Sequence, residues 1–182
     1  SWHNGFLANG NKFDGSQWTM PKAFQKAGYE TVVYGKWHLG TTPTGFDSSW
    51  VLPDQGKYYN PDFAVDGQKT IQKEGYCTDL VVDMTLDWLK NKRDKSKPFF
   101  LCSWQKAPHR TWMPAARHFK YLADVEMPEP SNLFDQYEGE RNSSLKEQHM
   151  SLEDHLNIAY DLKVTLPVTE ENLAKIARDA PA

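Results

Sequence analysis

Hydrophobic positions recur at two different periods along this chain, and the switch between them outlines an architecture. Met20, Ala23, Phe24 and Ala27 fall on one face at helical spacing. Thr19 before them, Pro21 in the first turn and Gly28 just past the end predict a short capped helix. The run from Thr31 to Tyr34 is β-branched and aromatic, which predicts a buried strand. Thr78 is expected to cap a longer helix with Leu80, Val81, Met84, Trp88 and Leu89 on its apolar face. After Lys97-Pro98, the run Phe99-Phe100-Leu101-Cys102-Ser103-Trp104 predicts a second strand. Strand, helix and strand in that order imply a right-handed crossover between parallel strands.

Two stretches escape this periodicity. Residues 41–75 cluster Gly, Pro, Asp and Asn among aromatics, too long a span for a plain connector. A structured excursion near a functional site is expected there. Past Pro128-Glu129-Pro130 the chain turns polar and loop-like. Ser151-Leu152-Glu153-Asp154 then resembles a capping box opening a helix, and Thr169 predicts the cap of another.

The candidate chemistry gathers just after the two predicted strands. Side chains at i and i+2 of an extended segment point the same way, so Lys36 and His38 face one pocket while Trp37 turns back. Gly35 and Gly40 bracket the pair with permissive backbone, as a tight loop over an anion needs. A fixed cation beside a titratable imidazole suits an anionic substrate whose leaving oxygen needs charge or a proton. Lys106 and His109 follow the second strand in the same manner. Open α/β sheets bind ligands beyond the carboxyl ends of their strands, so both clusters are expected at one sheet edge.

The segment Gly28-Tyr29-Glu30-Thr31-Val32-Val33-Tyr34-Gly35-Lys36-Trp37-His38-Leu39-Gly40 resembles the second signature of the sulfatase family. Lys106-Ala107-Pro108-His109-Arg110 resembles that family's later histidine segment, and Thr44-Gly45-Phe46-Asp47 and Gly56-Lys57-Tyr58-Tyr59-Asn60-Pro61 are similar to the text between. The resemblance runs from about Phe13 to about Arg141 and is closest to bacterial sulfatases acting on sulfated carbohydrates. It implies an α/β fold, part of an alkaline-phosphatase-like sandwich with a largely parallel central sheet flanked by helices. It also implies a sulfuric ester hydrolase that works through a formylglycine nucleophile and Ca2+. On this resemblance Lys36 binds sulfate and helps hold the formylglycine, and His38 assists breakdown of the sulfated intermediate. His109 contacts sulfate and the leaving oxygen as a candidate general acid. Lys106 and Arg110 become sugar or sulfate contacts, and Thr111 stands where relatives often carry proline.

The family's nucleophile motif, Cys/Ser-x-Pro-x-Arg, is absent: Cys77 precedes Thr-Asp-Leu-Val and Cys102 precedes Ser-Trp-Gln-Lys. The Asp-Asp and Asp-Asn pairs that bind calcium in the family are absent too. Residues 1–182 are therefore expected to be a partial sulfatase N-terminal catalytic domain truncated at both ends and inactive alone. Its Ca2+ ligands and formylglycine would lie outside the chain. No metal site is expected within it, and the stripe Asp79, Asp83, Asp87 reads as a solvated helix face because ligands along a helix do not converge. Cys102, inside an apolar run, reads as a buried thiol.

A net charge of −3 argues against nucleic acid or an anionic membrane surface as partner. No apolar run is long enough to span a bilayer. The expected partner is a small-molecule or polysaccharide sulfate ester, and the resemblance implies a periplasmic or secreted protein. Two other readings stay open: a phosphate or phosphonate ester hydrolase of the same superfamily, and a non-catalytic carbohydrate-binding pseudoenzyme. His3, His118, His149 and His155 read as structural or exposed, and Trp104 and Trp112 either stack on sugar or pack a core.

Overall fold

The computed structural model describes residues 3–133 and residue 161. The helices expected from Ser151 and Thr169, together with His149 and His155, lie outside the described residues. Described residues up to His109 belong to one compact unit and those from Arg110 to a second.

The first unit is an α/β layer structure. Its elements run α1 (Met20–Lys26), β1 (Glu30–Lys36), β2 (Ser48–Leu52), β3 (Asp62–Val65), β4 (Lys69–Gln72), α2 (Cys77–Asp87) and β5 (Phe99–Trp104). The strands form one sheet in the order β4-β3-β2-β1-β5. Both neighbours of β1 are parallel to it, and β3 and β4 join as antiparallel strands beyond β2. The parallel crossover expected between the two sequence-predicted strands is present, and those strands are directly adjacent.

Every residue from Thr31 to Gly35 is buried, as a central strand covered on both faces requires. The alternation of side chains divides the core in two. Val32 and Tyr34 pack with Leu52, Phe63, Cys77, Val81 and Trp88 on the α2 side. Val33 packs with Val51 and Cys102 on the other side, where Trp37, Phe46 and Phe100 close the cluster. The α1 helix adds Phe24, whose ring stacks on Phe100 at 4.6 Å. Cys102 is buried, as its apolar surroundings predicted.

The excursion over 41–75 contains three strands. Asp47 pins the start of β2 to β1: its carboxylate accepts the Thr31 amide at 2.7 Å, and its own amide donates to the Thr31 carbonyl at 2.7 Å. The β3–β4 hairpin closes through a three-residue loop, 66–68, in which Asp66 and Gly67 have φ of 50° and 67° and the Gln68 amide donates to the Val65 carbonyl at 2.9 Å. The Asp66 carboxylate also reaches back to accept the Ser49 amide at 2.5 Å.

Two helix-cap expectations need correction. α2 starts at Cys77, with Tyr76 rather than Thr78 at its N-cap. The Cys77 amide is instead satisfied by the Tyr58 carbonyl at 2.7 Å, so a tertiary contact replaces the side-chain cap. Thr19 does sit at the N-cap of α1, but its hydroxyl makes no capping bond there. The apolar face of α2 is as expected, with Val81 buried and Leu80 and Met84 packed beside it. Trp88 and Leu89 continue the face into a π-helical turn, Trp88–Lys92. Asp83 is exposed and Asp87 pairs with Lys92 at 2.6 Å, in line with a solvated stripe.

Candidate active site

The carboxyl ends of β1, β2 and β5 lie side by side. Lys36 is paired with Leu52, and Gly35 with Trp104, so the loops after all three strands leave one edge of the sheet. Their side chains meet at Gln55, in the loop after β2. Lys36 Nζ donates to Gln55 Oε1 at 2.6 Å. The Gln55 amide nitrogen lies 3.3 Å from His38 Nε2. Lys106 Nζ donates to the Gln55 carbonyl at 3.0 Å. Three of the sequence-predicted residues thus reach one glutamine from two separate segments.

Trp37 turns back as its position predicted. Its indole stacks on Trp104 at 5.9 Å and meets the edge of Phe46 at 6.1 Å. Trp104 itself is 41% exposed at the sheet edge, and Trp112, in the second unit, is half-buried. His38 takes a left-handed backbone with φ of 50°, and Asp54, its neighbour across the site, has φ of 46°. Such conformations cost a non-glycine residue about 1 kcal/mol or more and recur where a site dictates backbone direction. His38 Nε2 also lies 3.4 Å from Asp54 Oδ1, and the Asp54 side chain is 85% exposed.

Lys106 is 7% exposed, so it is not a solvated surface lysine. Its ammonium stands 4.7 Å from the centre of the Tyr58 ring, a cation–π contact strengthened by burial. The Tyr58 hydroxyl donates to the His109 carbonyl at 2.6 Å, and the His109 amide donates to the Lys106 carbonyl at 3.0 Å. Tyr58 therefore fixes the backbone that carries both Lys106 and His109. Burial depresses the Lys36 ammonium pKa, while the Asp54 carboxylate pulls it back up.

A cavity of about 460 Å³ opens beside His38, with Asp54, Trp37, Thr41 and Asn11 among its walls. Lys36, Lys106 and His109 do not line it. Arg110 belongs to the second unit, where its guanidinium forms a two-pronged bond with Asp161, both contacts at 2.8 Å. The fork that the resemblance assigned to substrate or sugar is thus engaged by a buried carboxylate. Sequence reasoning missed Gln55, Tyr58, Asp54 and Asp161. Only Tyr58 carried a signal, as part of the Gly56–Pro61 segment.

The sulfatase family profile matches residues 3–178. The chain belongs to the sulfatase family. It is 47% identical over 178 residues to an N-acetylglucosamine-6-O-sulfatase of Bacteroides thetaiotaomicron, covering 96% of this chain and 31% of that protein. It is 32% identical over 117 residues to an uncharacterized sulfatase of Schizosaccharomyces pombe, covering 50% of this chain and 21% of that protein. Among solved structures it resembles BT4656 in complex with its substrate D-glucosamine-2-N,6-O-disulfate, with a TM-score of 0.82 and 46% identity over 98% of this chain and 35% of that one. The structure of Ps i-CgsB in complex with k-i-k-neocarrahexaose shares the fold at 19% identity and a TM-score of 0.57, over 67% of this chain and 33% of that one. The chain spans about a third of the length of the Bacteroides sulfatase and of BT4656.

Sulfatases in general imply calcium and formylglycine. The described residues do not fit either group. Among them no cluster of three or more His, Cys, Asp or Glu could hold a metal ion. Burial pushes the Cys77 thiol up to about 11 against the pull of Lys106, and burial also raises Cys102. Neither cysteine is followed by the x-Pro-x-Arg that marks the family's formylglycine position.

The role of Tyr58 has a measurable consequence. Burial raises its phenol to about 12. A folded-state value above the ordinary value of about 10 gives stability that is complete below pH 10 and lost as pH rises toward 12. Tyr58→Phe keeps the ring under Lys106 but removes the bond to His109, so it is expected to lower stability by about 1 kcal/mol near pH 8. That deficit should shrink between pH 10 and 12, where the wild-type phenol ionises. Urea denaturation of both proteins at the two ends of this range checks it; a constant gap would remove Tyr58 from this account.

Proposed function

We propose that the protein containing this chain hydrolyses sulfate monoesters of carbohydrates, and that its substrate carries a 6-O-sulfated glucosamine unit. One observation carries the reading: Lys36, His38 and Lys106 converge on Gln55 at the carboxyl ends of parallel strands, in a chain 47% identical to an N-acetylglucosamine-6-O-sulfatase. The substrate class follows that relative and the glucosamine disulfate bound by BT4656.

Breaking the ester S–O bond leaves an electron pair on the sugar oxygen, which must gain a proton or cationic support. Lys36 and Lys106 supply fixed positive charge that needs no reorganisation during reaction. His38 moves a proton at its imidazole, and His109 donates one to the departing sugar oxygen. Proton transfer of this kind contributes about 10²–10⁴-fold. Ca2+ and formylglycine would be supplied by residues outside this chain, so residues 1–182 constitute part of the catalytic domain. A periplasmic or secreted location belongs to the same reading. No described helix is long and apolar enough to cross a membrane.

The test compares p-nitrophenyl sulfate with p-nitrophenyl phosphate, and N-acetylglucosamine 6-sulfate with its 3-sulfate, on the full-length protein. Sulfate esters and the 6-position are expected to be preferred by kcat/KM. Faster turnover of the phosphate ester would turn the assignment toward phosphate chemistry, and sulfate binding without turnover toward the pseudoenzyme.

A further inference from the structure

We propose that Gln55 is a positioning residue that sets the tautomer of His38, holding the neutral imidazole as the Nδ1–H form and marking Nε2 as the proton-accepting atom. An ammonium group only donates, so the 2.6 Å contact from Lys36 Nζ must fall on the carbonyl oxygen of the Gln55 amide. The NH2 group is thereby turned toward His38, 3.3 Å from Nε2. An amide NH2 only donates, so Nε2 must accept, and the neutral ring carries its proton on Nδ1. Lys36, two residues before His38 on the same face, thus fixes the histidine through an intervening amide.

A second partner competes for the same nitrogen. The Asp54 carboxylate, 3.4 Å from Nε2, can only accept and therefore favours a proton there. Gln55 holds the base form of the ring and Asp54 receives the acid form, so one nitrogen has a partner in each protonation state. The adjacency of Asp54 and Gln55 in one loop delivers both partners at once. Lys106, whose ammonium donates to the Gln55 backbone carbonyl, is a further cation at this cluster and does not compete as an acceptor.

The proposal deepens the sulfatase reading by naming which nitrogen of His38 takes the proton, and it rests on that reading only for its catalytic meaning. Its test needs no turnover. Imidazole 15N spectra of the full-length protein without substrate, recorded where His38 is neutral and assigned with a His38→Gln variant, report the tautomer directly. The wild type and Asp54→Asn are expected to show a protonated Nδ1 and a bare Nε2. Gln55→Glu keeps the size of the side chain but offers Nε2 an acceptor, and should shift His38 to the Nε2–H form. Gln55→Leu removes the donor and leaves the Asp54 carboxylate beside Nε2, and should do the same. A wild-type ring protonated at Nε2, or Nδ1–H retained in a folded Gln55→Glu protein, would overturn the proposal. Absence of sulfatase activity from the wild-type full-length protein, with these spectra as expected, would instead count against the function and leave the tautomer assignment standing.

Discussion

Gly35→Ala is expected to destabilise the protein by more than about 4 kcal/mol, enough to abolish soluble expression of the full-length protein. Single substitutions rarely cost so much, and those that do have an identifiable steric or electrostatic cause. Here the cause is backbone against backbone. A Cβ at position 35 would overlap the carbonyl oxygen of Trp104, on the paired strand β5. The φ of Gly35 is +108°, a conformation that L side chains rarely adopt. No rotamer change relieves a clash with a main-chain oxygen, so β1 and β5 must separate. The gain of about 0.4–1 kcal/mol that Gly→Ala brings through the unfolded state requires a backbone that alanine can adopt, which position 35 does not offer. Denaturation showing stability within 1 kcal/mol of wild type would refute the argument. The glycine ahead of the Lys-Trp-His segment therefore serves strand contact, where the sequence suggested a loop over an anion.

On the proposed function, Lys36→Ala should lower kcat of the full-length protein by about 10²–10³-fold, the range found when one preorganised donor is removed from an oxyanion site. The substitution removes the cation and also releases the Gln55 amide, whose orientation depends on it. Lys36→Arg is expected to restore little, because a planar fork differs from a compact ammonium in reach and hydration. Lys90→Ala, on an exposed position, provides the control and should leave turnover unchanged. Steady-state assays at saturating sulfate ester decide: a kcat within a few-fold of wild type, in a folded Lys36→Ala protein, would place the lysine outside the chemistry.

The two parallel strands and the residues at their ends were legible because each depends on local text. β1 is a run of β-branched and aromatic residues, and β5 begins after a proline. The i, i+2 relation of Lys36 and His38 is likewise local. β2, β3 and β4 were not foreseen, although the Asp66-Gly67 turn between Phe63-Ala64-Val65 and Lys69-Thr70-Ile71 is a hairpin signal in its own right. The aromatic and glycine density around it obscured the alternation. Gln55 could not be read at all. Its importance arises from a loop returning to meet Lys36, His38 and Lys106, and a lone glutamine has no spacing that announces such a return. The burial of Lys106 was hidden for the same reason, since Tyr58 comes from another loop.

The position of β1 between β2 and β5 has a consequence for assembly in time. Val33 pairs with Ser49 shortly after it is made, but with Cys102 only much later in the chain. Closing the longer loop costs more entropy and is repaid only once its contacts form. During synthesis the β1–β2 half can gather first, with Lys36, His38 and Gln55 already together. Lys106 and His109 follow β5, so a growing polypeptide brings the Lys106 ammonium to Gln55 only after β5 has docked.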